Sequence, residues 1–196
     1  MTVTSYAIGL SDTGLVTHAP GAHGHLRLVG TAVRHAKQML LHWEDDVDYA
    51  VLTAEGTRIL AGAGIYEQHT VTDSLPESAA IMRGLLAELD ERLDADPNDA
   101  KPPVVIVLEG VEQLLAPSRG PRGEDGSSAE LDRQASMLLA RGIDLIACRG
   151  AAVGMSLFAT YANAPLDEWP DTTTITDGSD GPTYRRDGRP VTITWT

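Results

Sequence analysis

The sequence predicts an α/β domain, a mostly parallel sheet with helices on both faces and antiparallel strands at its C-terminal end. Three observations predict it. Strand-like and helix-like segments alternate along most of the chain, the order that builds a parallel sheet. The unbroken apolar run Pro102 to Leu108 has the β-branched composition of a strand buried on both faces. From Pro165 onward, threonine alternates with apolar residues over Thr172–Thr176 and Pro190–Thr196, around Gly/Asp turns, as short antiparallel strands do.

Length and composition bound the function. The chain has 196 residues, 42% of them hydrophobic, so it buries a full core without disulfide or metal staples. It is read as a single domain over 1–196, with a core of about 7–160 and a C-terminal β extension of about 165–196. The lone cysteine, Cys148, excludes an internal disulfide framework and multi-cysteine zinc sites, and fits a reducing compartment. No run approaches the roughly 18 apolar residues of a membrane span, and Met1–Ser5 lacks the basic and apolar parts of a signal peptide. A cytoplasmic protein is expected. The net charge of −13, without a basic cluster, argues against direct nucleic-acid binding by the isolated chain.

Taken in order, the first core strand is His25–Gly30. Thr31 offers an N-cap oxygen, and Val33, Ala36, Leu40 and Trp43 follow at helical spacing. A second strand is expected over Asp48–Thr53 and a third over Ile65–Val71. Pro76 sits in the first turn of a long helix whose apolar stripe is Ile81, Leu85, Leu89 and Leu93, with Glu88 and Arg92 as a solvent-side pair. After the apolar strand, Pro117–Gly126 has no apolar anchor and reads as a mobile surface loop. Ser127 and Glu130 fit a capping box for a helix through Leu131, Ala135 and Leu138 that stops at Arg141 and Gly142. Ile143–Cys148 is then expected as the next buried strand.

This ordered set resembles the motor domain of the FtsK/HerA superfamily of P-loop ATPases, which pump DNA or drive protein export in type VII secretion. The segment Ile8–Val16 resembles the family's opening strand pair, and His25–Gly30 the strand leading into its phosphate loop. Asp48–Thr53 and Ala79–Arg92 resemble the next strand and the long helix with an acidic-Arg ending. Pro103–Glu109 is similar to the Walker B strand, and Ala140–Ala147 to the Arg-Gly-Ile strand near the end of the core. The resemblance implies a RecA-like P-loop core and a ring-forming motor.

The chemistry of such motors needs G-x-x-x-x-G-K-[ST], with backbone N–H groups around the phosphates, a lysine to neutralise them and a hydroxyl on magnesium. The corresponding stretch runs from Gly30 and Thr31 to Ala36, Lys37 and Gln38. The second glycine is missing. Ala36 falls where the lysine belongs, and a one-residue shift brings in Lys37 but leaves Gln38 at the hydroxyl position. The Walker B strand ends in Leu108 and Glu109, so the magnesium-orienting acid is replaced by leucine while Glu109 keeps the position of the water-activating carboxylate. In this matching Arg149 takes the place of the polar sensor residue. Lys37, Glu109 and Arg149 are therefore vestigial candidates, with no catalytic set, metal or cofactor expected.

Other chemistry-bearing residues have plainer readings. His18, His23 and His25 form a cluster with Asp12 as the nearby additional acid, but a polar loop before the first core strand accounts for them. Glu44, Asp45 and Asp46 read as a solvated helix end. Cys148 reads as a buried small hydrophobe on a strand. Ser11 and Ser156 lie in no G-x-S-x-G elbow. The expected function is that of a catalytically inactive FtsK/HerA-like domain acting through protein interaction, as ring subunit or docking platform. The competing readings are an active DNA-translocating ATPase with a divergent loop, using Lys37 and Glu109, and a small-molecule binding α/β domain.

Overall fold

The computed structural model describes residues 5–43, 47–53, 70–72, 74–96, 101–116, 127–178, 181–186 and 189–195. The strands are β1 (Tyr6–Ser11), β2 (Gly14–His18), β3 (His25–Gly30), β4 (Asp48–Thr53), β5 (Thr70–Thr72), β6 (Val104–Glu109), β7 (Met155–Tyr161), β8 (Thr172–Gly178), β9 (Gly181–Arg186), β10 (Arg189–Thr192) and β11 (Thr194–Trp195). The helices are α1 (Ala36–His42), α2 (Leu75–Asp94), α3 (Val111–Leu114) and α4 (Ser127–Arg149). Among the described residues the main sheet has eight strands in the order β10-β9-β8-β3-β7-β6-β4-β5. From β8 to β5 the pairing is parallel, and β9 and β10 extend the sheet antiparallel. A small sheet, β11-β1-β2, packs beside it.

Side-chain alternation along β6 divides the core into two layers. Val105 and Val107 face α1 and the small sheet, with Trp43, Met39, Leu40 and Phe158. Val104, Ile106 and Leu108 face α2 and α4, with Met82, Leu85, Leu139, Ile143 and Ile146. A strand covered on both faces needs apolar residues at every position, which is why Pro102–Leu108 is legible as an unbroken run. Leu108 is fully buried, and removing its side chain from water contributes about 2 kcal/mol.

The chain leaves β3 toward β4, crossing β7 and β6, whereas it leaves β7 for β8, crossing β3 the other way. This opposition opens a crevice at the carboxyl ends of β3 and β7, where doubly wound sheets hold ligands. The β7-to-β8 connection contains no helix. Residues 162–171 cross β3 instead as an irregular strap.

Several expectations need correction. Ile143–Cys148 is helix, not strand. Ala135, Leu139, Ile143 and Ile146 continue a single buried stripe through Arg141 and Gly142 to Arg149. Gly142 does not stop the helix because it is a contact surface: a Cβ there would lie 2.4 Å from Met82 Sδ, so its absence lets α4 approach α2. Cys148 accordingly lies exposed on α4. Thr31 is not an N-cap, because Thr31–His35 forms a 3-10 turn before the seven residues of α1. Arg92 is buried rather than solvent-facing, and its guanidinium bonds Glu88 (2.8 Å), Pro102 O (2.8 Å) and Val153 O (3.2 Å), tying α2 to the starts of β6 and β7. Thr172–Thr176 belongs to β8, which pairs parallel with β3 and antiparallel with β9. Most of the Ile65–Val71 strand, the Pro117–Gly126 loop and Glu44–Asp46 lie outside the described residues.

Candidate functional site at the carboxyl end of the sheet

Each parallel strand delivers its last residues to the same edge. Alternation places Thr53 at the end of β4, Glu109 at the end of β6 and Thr160 near the end of β7 on the α1 face. All three are buried, with Glu109 fully enclosed. Thr160 Oγ1 accepts the Gly110 N–H at 2.9 Å and lies 3.4 Å from Leu108 O, so it fixes the turn after β6. That turn is left-handed at Gly110 (φ 63), where a side chain is disfavoured.

The stretch after β3 makes the other wall. Gly30 (φ 63, ψ −131) turns the chain directly into the 3-10 segment Thr31–His35. Ala32 and Ala36 point into the core and are fully buried, while Lys37 and Gln38 lie on the exposed side of α1. Asp177, in register with Gly30 on β8, reaches this corner. Its Oδ2 accepts the Thr31 hydroxyl at 2.6 Å and the Arg34 guanidinium at 3.2 Å. His35 stacks on Trp195, with ring centroids 3.7 Å apart, and accepts a hydrogen bond from Arg34 Nε on its Nε2 at 3.1 Å. Burial, aided by the Arg34 charge, holds the His35 pKa below its ordinary value, so the imidazole is neutral near pH 7.

The structure gathers Gly30, Thr31 and Glu109 at the same edge of the sheet and separates Arg149 from them. Arg149 ends α4, which leads into the amino end of β7, so it lies at the opposite end of the sheet from Glu109. With the true strand placed at Met155–Tyr161, the strand-end polar position falls to Thr160. Sequence reasoning missed Thr160 and Asp177. The available signal was the continuous stripe Leu139, Ile143, Ile146, which extends the helix and pushes the strand downstream. Of the three histidines, His23 lies in the loop before β3 as expected, and the other two do not. His18 ends β2 and His25 begins β3, both buried, and no group with metal-ligand composition exists among the described residues. Ser156 accepts the Gly21 N–H at 3.1 Å, a structural bond.

No protein-family model matches the chain, and no curated protein matches it in sequence. Solved structures do match. The pCW3 conjugation coupling protein TcpA, in monomer form with ATPγS, superposes with a TM-score of 0.77 over 97% of this chain and 65% of its own, at 10% identity. The likeness is one of fold: the chain shares the α/β architecture of this coupling protein and of ATPase chains from type VII secretion proteins. EssC (ATPases 2 and 3) from Geobacillus thermodenitrificans matches with a TM-score of 0.68 at 12% identity, over 97% of this chain and 44% of EssC. Thermomonospora curvata EccC (ATPases 2 and 3), in complex with a signal sequence peptide, matches with a TM-score of 0.64 at 11% identity, over 100% of this chain and 41% of EccC. The chain thus spans less than two thirds of TcpA and under half of the EssC and EccC chains. No helix among the described residues is long and apolar enough to cross a membrane.

Proposed function

We propose that this chain is a catalytically inactive FtsK/HerA-like domain that works through protein interaction, as a ring subunit or a docking platform. The observation that carries the reading is the clamp on Asp177. Thr31 and Arg34, at the corner where a phosphate loop turns from strand to helix, are occupied by a carboxylate of the chain itself. A nucleotide phosphate entering there meets that fixed negative charge. The other parts point the same way. Ala36 is buried where a lysine is needed, His35 is neutral, Leu108 supplies no oxygen for magnesium, and Glu109 is enclosed. The residues present do not fit magnesium-ATP.

Support for protein interaction comes from the other face. A cavity of about 320 Å³ opens between the strap, α3 and α4, lined by Val111, Leu115, Ile143, Leu166 and Trp169, with Leu166 fully exposed at its edge. The recess is mostly apolar and edged by Glu112, Asp144 and Asp167, so it suits a protein segment better than the anionic nucleotide. Calorimetric titration with magnesium-ATP tests the proposal. No saturable heat is expected up to millimolar nucleotide, where binding of about −4 kcal/mol would register. Micromolar affinity, or phosphate release above background, overturns it.

A further inference from the structure

We propose that the cavity beneath the strap binds a small dianion, a dicarboxylate or a phosphate ester, between the guanidiniums of Arg27 and Arg185. This cavity, about 440 Å³, is roofed by the strap and floored by β3, β8 and β9. It lies on the α4 face of the sheet, opposite Thr53, Glu109 and Thr160, and does not depend on the state of the nucleotide corner.

Its origin is topological. Helices cover β4, β6 and β7 on this face, but the β7-to-β8 connection is the strap alone, so no helix lies over β8 and β9 and their inward side chains meet open space. Those side chains are unusually polar for a sheet face. Arg27, Thr174 and Arg185 are direct cross-strand neighbours in one row. With strands about 4.8 Å apart, two guanidiniums flank a hydroxyl across roughly 10 Å, a span that long side chains close onto one ligand. In the next row the Thr176 and Thr183 hydroxyls are 2.5 Å apart. That bond uses one hydroxyl proton of the pair and leaves the other for an acceptor.

Both arginines are incompletely satisfied. Arg27 is 3% exposed, stacked 3.8 Å over Trp169, and its Nη groups reach the Asp167 carbonyl (2.7 Å) and carboxylate (3.3 Å), while Nε has no hydrogen-bond partner. Beside the Asp167 carbonyl and the Trp169 and Tyr161 rings, the charged partner of this deeply buried guanidinium is a single carboxylate at 3.3 Å, and its Nε is left over. Arg185 meets Glu168 at 3.7 Å, with both side chains more than half exposed. The strap therefore offers its own carboxylates to both arginines, loosely, and a rigid dianion supplies two acceptors at once. Asp167 and Glu168 are already largely in water, so releasing them costs little. Asp171 also lines the cavity, which disfavours polyphosphates and larger anionic charge.

Thermal melts of the full chain with inorganic phosphate and with succinate, at ionic strength held constant with sodium chloride, test this. A saturable rise in melting temperature below about 10 mM ligand is expected. Phosphate alone giving the rise assigns a phosphate ester, succinate alone a dicarboxylate, and both assign the shared oxyanion chemistry. Because Arg27 is buried and its loss threatens folding, the deciding variant is Arg185→Met, which should melt like wild type without ligand yet bind at least tenfold more weakly. No saturable rise with either anion, or a rise that Arg185→Met retains in full, overturns the proposal.

Discussion

The two sides of β3 meet opposite fates. On the α1 face, the polar residues at the carboxyl edge are closed over: Thr160 holds the Gly110 turn, Glu109 is enclosed, and Asp177 is gripped by Thr31 and Arg34. On the α4 face, Arg27 and the β8 threonines look into a cavity. The difference lies in the connections. The β3-to-β4 crossover carries a helix, whose Ala36, Met39 and Leu40 seal the first face, whereas the β7-to-β8 crossover carries none. At the corner after β3 the Asp177 carboxylate is taken up by the exposed Thr31 and Arg34, and a face without any motif is where space remains.

The largest expected effect strikes the α4 face where helices cover it, beside the gap over β8 and β9. Leu108→Asp places a carboxylate in the α2/α4 layer with no cation to meet it, and should destabilise the fold by at least about 3 kcal/mol while creating no ATPase activity. Urea melts beside a phosphate-release assay check this. An unchanged midpoint means that the helices do not seal this face and that the space over β8 and β9 is no special gap, and gained turnover means that the α1 corner is open to phosphate.

A smaller loss is expected at the foot of the strap. Gly24 (φ 66) has its α-carbon so close to Asp171 that an added Cβ would lie 2.0 Å from the Asp171 carbonyl oxygen. That carbonyl accepts the His25 N–H at 2.9 Å and anchors the strap where it enters β8. Gly24→Ala should cost about 2–3 kcal/mol, from strain at positive φ plus the clash. It should also change the fluorescence of Trp169, measured in a variant lacking the other two tryptophans. A full-stability Gly24→Ala protein means that the strap is loosely attached and the cavity is not a fixed feature.

Acid provides the smallest and most discriminating test. His25 accepts the Leu157 N–H on Nδ1 (3.0 Å), so its proton sits on Nε2 and goes to Ala147 O (2.9 Å); the neutral ring satisfies both sides. Burial first, and then the Arg27 charge, lower its pKa, against the Ala147 carbonyl and Asp171, which raise it. His18 is lowered further, again by burial and then by Arg186. In the unfolded chain both titrate near 6.5, so the unfolded state takes up protons first as pH falls. The stabilisation is complete above about pH 6.5 and declines below it, by up to about 1.4 kcal/mol per pH unit for each histidine. Hydrogen exchange at pH 7.5 and 5.5 should show β2 and the start of β3 losing protection early. Equal stability at both values removes the two histidines from the account.

Legibility followed the physics of each segment. Asp48–Thr53 and Val104–Glu109 were readable because both-face burial writes itself as an apolar run, and His25–Gly30 because Leu26 and Leu28 alternate on one face. Ile143–Cys148 was misread because a short apolar run serves a buried strand or a buried helix equally well, and the Arg-Gly pair before it mimicked a stop. His18 and His25 were placed in a polar loop because polarity predicts exposure, and nothing local announces the partners that bury them.

Taken alone, the sequence determined the α/β class, the long α2 helix begun by Pro76, the absence of a Gly-Lys-Ser/Thr run after Gly30, and Leu108 at the strand end. Those are matters of local periodicity and residue identity, which the chain carries in order. Only the tertiary structure decided that Asp177 answers Thr31 and Arg34 from 143 to 146 residues away. It alone decided that Arg149 stands at the wrong end of the sheet for the site, and that Arg27, Thr174 and Arg185 share one row. Those relations depend on strand order and register, and register is fixed by packing between segments that the sequence keeps far apart.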